Sequence, residues 1–302
     1  MDEPRRRRRP LRDYPVFPTL LTSGNLACGV TAILCAMSAG GSQADAGGGQ
    51  VGLLFYGAVL IFAAMVFDMF DGKVARMTGT DGEFGAELDS IADIVSFGVA
   101  PAILVHRAVL GTPPMMVVGE GERWIWFLTV FYVVMTGIRL ARYNVEHDKE
   151  ATRFFHGLPS PGAAATLAAW VMLYSWFADR AGQWQDGFIA SHLGLGLADL
   201  REVTRWMLMF LTGLTALLMV SRIRFLHVGN VLLSGRIQLW RLILILVIIG
   251  LLGTAPLVML TFLTTSYVVV GTITGCWTWH RGRRQTDATS EAVLDDDGED
   301  LS

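Results

Sequence analysis

Two short stretches of this chain put carboxylates where apolar helices ought to run. Asp68 and Asp71 close one apolar segment in Phe67-Asp68-Met69-Phe70-Asp71-Gly72-Lys73-Val74-Ala75-Arg76, and Asp89 and Asp93 open the next in Gly85-Ala86-Glu87-Leu88-Asp89-Ser90-Ile91-Ala92-Asp93. Spacings of three and four residues place each pair on one helical face. The short connection predicts that the two helices are antiparallel neighbours, with both pairs at one depth. An Asp at the centre of a membrane span opposes insertion by about 2.5–3.5 kcal/mol, so four deep and unpaired would oppose it by roughly 10–14 kcal/mol. Lys73 and Arg76 cannot neutralise four mutually repelling carboxylates, whereas divalent cations with oxygen ligands can. Ligation by carboxylates without His or Cys suits magnesium or manganese, not zinc or copper. Two such ions a few ångströms apart would stabilise both the entering and the leaving oxygen of a phosphoryl displacement. Gly72, Ala75 and Gly85 keep the same mouth clear of side chains for a diphosphate, and Arg76 offers phosphate a forked donor.

The helices that carry these residues follow from composition. Of 302 residues, 52% are hydrophobic and 17% charged, against about 25% charged in soluble domains. That balance excludes an ordinary soluble enzyme and predicts an all-α polytopic membrane protein. Windows of about 20 apolar residues, enough to cross a hydrocarbon core of ~30 Å, fall near Pro18–Ala39, Val51–Met77, Leu88–Leu110, Trp124–Tyr143, Ser160–Ala178, Val203–Ser221, Ile237–Leu252 and Pro256–Trp277. A bundle of about eight transmembrane helices is therefore expected over residues 15–280. Gly250, Gly253 and Pro256 read as the turn between the last two spans, and a single kinked span there would give seven. Under eight spans, nineteen of the 24 Lys and Arg fall on the side of the N-terminus. Both termini are then cytoplasmic, which favours the even count.

Residues 1–14, with the run Arg5–Arg9, and residues 281–302 have no apolar period and are expected to be disordered. The seven acids between Gln285 and Ser302 account for the net charge of −3, and the body without them is basic. The arginine run beside a span anchors the N-terminus in the cytoplasm, so no nucleic-acid role follows from it. Cys28, Cys35 and Cys276 lie in apolar segments without zinc or disulfide spacing and read as buried small hydrophobes. An ion transporter would also carry intramembrane acids, but near the midplane of repeated, broken helices. These aspartates cluster at the edge of their spans and no repeat is visible.

The pattern Asp68-x2-Asp71-Gly72-x2-Ala75-Arg76-x8-Gly85-x3-Asp89-x3-Asp93 resembles, at each of its eight fixed positions, the signature of the CDP-alcohol phosphatidyltransferases. Four flanking stretches resemble the phosphatidylserine synthase branch of that family: Thr22-Ser23-Gly24-Asn25-Leu26-x2-Gly29, Ser96 to Ala102, Arg139-Leu140-Ala141-Arg142-Tyr143-Asn144, and Gly157 to Ala164. Ser221-Arg222-Ile223-Arg224 is a weaker likeness, and the whole covers roughly residues 15–225. The resemblance implies a homodimeric enzyme of the cytoplasmic membrane, surrounded by membrane lipids, that holds two divalent cations, Mg2+ or Mn2+, through the four aspartates. It implies binding of the CDP of CDP-diacylglycerol at the cytoplasmic mouth, by Asn25, Asp68, Gly72, Ala75, Arg76 and Gly85. The phosphatidyl group would pass to the hydroxyl of L-serine with release of CMP, and Asp93 would be the general base. Ser96, Arg139, Arg142 and Asn144 would bind the acceptor. A zwitterionic acceptor needs a cation for its carboxylate, and Arg139 and Arg142 share a helical face. Glycerol 3-phosphate or inositol phosphate would want the same arginines, so these residues do not by themselves separate serine from other alcohols such as these or choline. His156, just before Gly157, is read as incidental.

Overall fold

A chain that leaves water must pair its backbone N–H and C=O groups internally. The computed structural model of this chain, which describes residues 16–39, 49–78, 83–110, 120–147, 157–180, 197–221, 250 and 253–299, meets that demand with helices. Helix α1 spans Val16–Ser38, α2 Gly49–Thr78 and α3 Glu83–Asp93. A π-helical turn over Ile94–Val99 continues α3 into α4, Ala100–Leu110. Then follow α5 (Glu120–His147), α6 (Ser160–Arg180), α7 (Leu197–Val220) and α8 (Pro256–Glu299). Among the described residues, six stretches are long and apolar enough to cross a membrane: Thr19–Ser38, Gly52–Val74, Phe84–Leu110, Arg123–Val145, Asp199–Val220 and Pro256–Trp277. The span expected near Ile237–Leu252, and with it the choice between seven and eight, lies outside the described residues. So does the basic arm of residues 1–14.

The fifth expected span is helix α6, yet it is not among the six apolar ones. Its surroundings explain the difference. Ala163, Ala164, Leu167, Ala168, Val171 and Tyr174 are all buried, and α6 packs against α2, α4, α7 and α8. A helix enclosed by protein is built from small residues that let neighbours close in, not from the large apolar ones that face lipid. The outer helices carry those instead, as with Trp124, Trp126 and Phe127 on α5 or Phe262 and Ile273 on α8.

Small residues also decide how α1 lies. Ala32, Ala36, Ala58 and Ala64 are fully buried where α1 runs along α2, and α1 also reaches α3, the π turn and α4. The extended packing of α2 is therefore with α1 and α6, while α3 leans on α1. Both helices that carry the aspartates thus pack on α1, and their aspartates meet beside it. Helix α8 continues to Glu299, through acidic residues expected to be disordered. Extending a helix already formed needs no new nucleus, which charged sequence alone could not supply. All three cysteines are free; Cys28 and Cys35 are half-buried as small apolar groups, but Cys276 is exposed on the outer face of α8.

The entry to α6 is pinned on the end of α7. The Leu158 N–H donates to the Leu218 carbonyl at 3.0 Å, and Gly157 turns the chain with φ of +91°. A β-carbon at Gly157 would both strain that backbone and collide with the Met219 carbonyl. Gly157→Ala is expected to lower stability by about 1–3 kcal/mol, read as a reduced melting midpoint of the purified protein in detergent. An unchanged midpoint would mean that this junction relaxes freely.

Candidate metal and substrate site

The last turns of the α2 span present Asp68 and Asp71, and α3 presents Asp89 and Asp93. One carboxylate oxygen each from Asp68, Asp71 and Asp89 lies within 4.8 Å of the other two. Asp71 is buried, and its Oδ2, like Oδ1 of Asp89, has no hydrogen-bond partner among the described residues. Asp71 is hydrogen-bonded by the Thr22 side chain and the Gly72 backbone. Buried carboxylate oxygens left without donors are costly. A hard divalent cation would satisfy them, and this donor set of carboxylates alone fits one.

The glycines beside the cluster face open space. Apart from adjacent residues and the helix's own backbone, no heavy atom of the described residues lies within 4 Å of where a β-carbon of Gly72 or Gly85 would sit. Helix packing therefore does not require glycine at either position, and room for a ligand against the backbone does explain it. Ala75 and Arg76 lie on α2, but their side chains are outside the described residues.

Asp93 stands beside the three-carboxylate group, one turn beyond Asp89, within electrostatic reach of Asp68, Asp89 and Asp71. The Asn25 side-chain amide donates to Oδ1 of Asp93 at 3.3 Å, and the Ser96 hydroxyl donates to the Asn25 carbonyl at 3.0 Å. Both Asn25 and Ser96 are fully buried. Expected at the diphosphate and at the acceptor respectively, these two form a link from α1 to the segment just after Asp93. Gly29 makes the link possible, because a β-carbon there would collide with Ser96.

Arg139 of α5 comes within electrostatic reach of Asp93, and its Nη1 donates to the Ser160 hydroxyl at 2.6 Å. Ser160 is fully buried at the start of α6. Tyr132, Tyr143 and Tyr267 also act on Arg139. Arg142 is half-buried one turn further along α5. Asn144 is exposed and donates to the Ser90 hydroxyl at 3.0 Å, tying α5 to α3. Thus Arg139 is gathered with the aspartates, whereas Asn144 braces two helices at the rim.

The sequence assigns no role at the site to Thr22, Tyr132, Ser160 or Tyr267. Thr22 carried a local signal, since it sits three residues before Asn25 and so on the same face of α1. Ser160 follows Gly157-Leu158-Pro159 at a helix start, where a hydroxyl is ordinarily assigned to capping. Tyr267 had none. It approaches from α8, at a site where a β-carbon on Gly162 would stand 2.9 Å from its ring.

A family model described as CDP-alcohol phosphatidyltransferase matches residues 15–198. The chain is 33% identical over 181 residues to a protein of Mycobacterium tuberculosis, across 58% of this chain and 55% of that one. It is 27% identical over 267 residues to a protein of Helicobacter pylori, across 87% and 92%. With a protein of Bacillus subtilis it shares 32% over 163 residues, across 53% and 77%. Each of these relatives is named CDP-diacylglycerol–serine O-phosphatidyltransferase. The chain thus spans about half of the mycobacterial relative and nine tenths of the Helicobacter one.

Proposed function

Because the chain belongs to the CDP-alcohol phosphatidyltransferase family, we propose that it transfers the phosphatidyl group of CDP-diacylglycerol to the hydroxyl of L-serine and releases CMP. The observation that carries this reading is the cluster of Asp68, Asp71 and Asp89, with buried oxygens that lack partners, beside Asp93. The relatives' shared name supports serine as the acceptor.

Asp68, Asp71, Asp89 and Asp93 would hold two divalent cations, Mg2+ or Mn2+, which would neutralise the diphosphate and the charge that develops on departing CMP. Asn25, Gly72, Ala75 and Gly85 shape the space for the nucleotide, and Arg76 offers a forked donor to its phosphates. Arg139 and Arg142 bind the serine carboxylate, with Ser96 and Asn144 fixing the surrounding helices. Asp93 takes the proton of the serine hydroxyl as the oxygen attacks the lipid-side phosphorus in line. The bond from that phosphorus to the bridging oxygen breaks, and CMP leaves with the electron pair. The acyl chains stay in the bilayer throughout. With most Lys and Arg on one side of the expected topology, the site opens to the cytoplasm from the cytoplasmic membrane. The protein works as a homodimer.

The test offers purified protein CDP-diacylglycerol in mixed micelles with Mn2+ or Mg2+, and serine, glycerol 3-phosphate, inositol phosphate or choline in turn. CMP release is expected with serine; release with another alcohol and not with serine overturns the acceptor. Arg139→Lys keeps the charge but loses the fork that matches a carboxylate. A charge-assisted hydrogen bond contributes about 1.5–3 kcal/mol, so the KM for serine is expected to rise about tenfold or more while that for CDP-diacylglycerol holds. An unchanged serine KM would remove Arg139 from the acceptor site.

A further inference from the structure

The segment that follows Asp93 is wound differently from the rest of its span. Residues Ile94–Val99 form a π-helical turn, and the Ala100 N–H reaches back five residues to the Val95 carbonyl. Such a turn holds one residue more than an α-turn and is frequent at functional sites. One residue corresponds to about 100° of helix rotation, so this turn sets where the aspartate face of α3 points relative to α4.

The sequence shows why the turn is possible, and the neighbouring helices show what holds it. Pro101 has no N–H to give the Phe97 carbonyl four residues before it. That carbonyl instead accepts the Tyr132 hydroxyl of α5 at 3.1 Å. Tyr132 and Phe97 are both fully buried, where an unpartnered hydroxyl or carbonyl is costly. On the opposite side the Ser96 hydroxyl is tied to the Asn25 carbonyl at 3.0 Å, and the Asn25 amide to Asp93 at 3.3 Å. Gly98 lets α5 close on the turn, for a β-carbon there would stand 3.2 Å from Cγ2 of Thr136.

We propose that Tyr132 is a positioning residue: by holding the Phe97 carbonyl it fixes the π-helical turn and, through Ser96 and Asn25, the direction of the Asp93 carboxylate. This rests on the reading of Asp93 as the base in phosphatidyl transfer. The test measures serine-dependent CMP release and thermal melting on the full chain in detergent. Tyr132→Phe is expected to lower kcat at least tenfold, leave the KM for CDP-diacylglycerol within twofold, and lower the melting midpoint. Adding Pro101→Ala to Tyr132→Phe gives the Phe97 carbonyl an N–H in α-helical register. The melting midpoint is then expected to recover while kcat stays low, because the turn is no longer π-helical. Recovery of kcat together with the midpoint in this double variant would make the role of Tyr132 merely structural and overturn the proposal. If Tyr132→Phe does not accumulate as folded protein, Ser96→Ala puts the same question from the α1 side, with kcat lowered and lipid KM unchanged as the expected outcome. Wild-type kcat in Tyr132→Phe, or in Ser96→Ala, overturns this proposal alone. Wild-type protein that releases no CMP with serine overturns the catalytic reading, and this proposal with it.

Discussion

Asp93→Asn is expected to reduce turnover by at least 100-fold while leaving the affinity for CDP-diacylglycerol near that of the wild type. The two effects separate because Asp68, Asp71 and Asp89 remain to hold cation and diphosphate in the variant, and the fold contact of Asp93 is retained. Its Oδ1 accepts the Asn25 amide, a bond the amide oxygen of the variant also accepts, so the packing between α1 and α3 is retained. What the variant lacks is a group able to take the serine proton, and general bases typically contribute 10²–10⁴-fold. CMP release gives the rate, and equilibrium binding of CDP-diacylglycerol gives the affinity. More than about a tenth of the wild-type rate would remove Asp93 from the role of base.

Asp71→Asn is expected to act on the other half of the site. Asp71 is buried with one oxygen lacking a partner among the described residues, and its carboxylate shares a space of 4.8 Å with those of Asp68 and Asp89. In the wild type, Mn2+ at 100 times its Kd should stabilise the fold by about 2.7 kcal/mol if it binds only the folded state, visible as a raised melting midpoint. Asp71→Asn should lose most of that gain, together with 100-fold or more of the activity at metal levels that saturate the wild type. In the presence of chelator the order should reverse. With one charge fewer in the cluster, the variant should melt above the wild type, the trade between stability and function expected where a site gathers like charges. Equal metal-induced shifts in both proteins would place the cation elsewhere.

Much of the site could be read from the chain because its residues are close in sequence. Asp68, Asp71, Asp89 and Asp93 declare their faces by spacing, and Gly72 and Gly85 mark open space at the expected positions. The long apolar helices were legible for the same reason, as local composition and length determine them. What was hidden depends on partners brought together from afar. Pro101 was in plain view, but the hydroxyl that replaces its missing donor sits 35 residues beyond Phe97, on another helix. Arg139 stood out as a cation, whereas the Ser160 hydroxyl that holds it emerges only once α6 is seated on the end of α7. The packing of α1 on both α2 and α3 also escaped, because a short connection specifies that two helices are near each other and not which third helix holds both. Helix α6 shows the same limit in hydropathy, for enclosure by protein relaxes the demand for apolar residues that lipid imposes.

The most direct measurement follows CMP and the serine-containing lipid together, from purified protein, CDP-diacylglycerol and serine, with Mn2+ present or removed by chelator. Equal amounts of the two products are expected, formed only when serine and metal are both present and lost in Asp93→Asn. CMP released at an undiminished rate without serine, or a serine-containing lipid formed after the metal is removed, would contradict a metal-dependent transfer to serine.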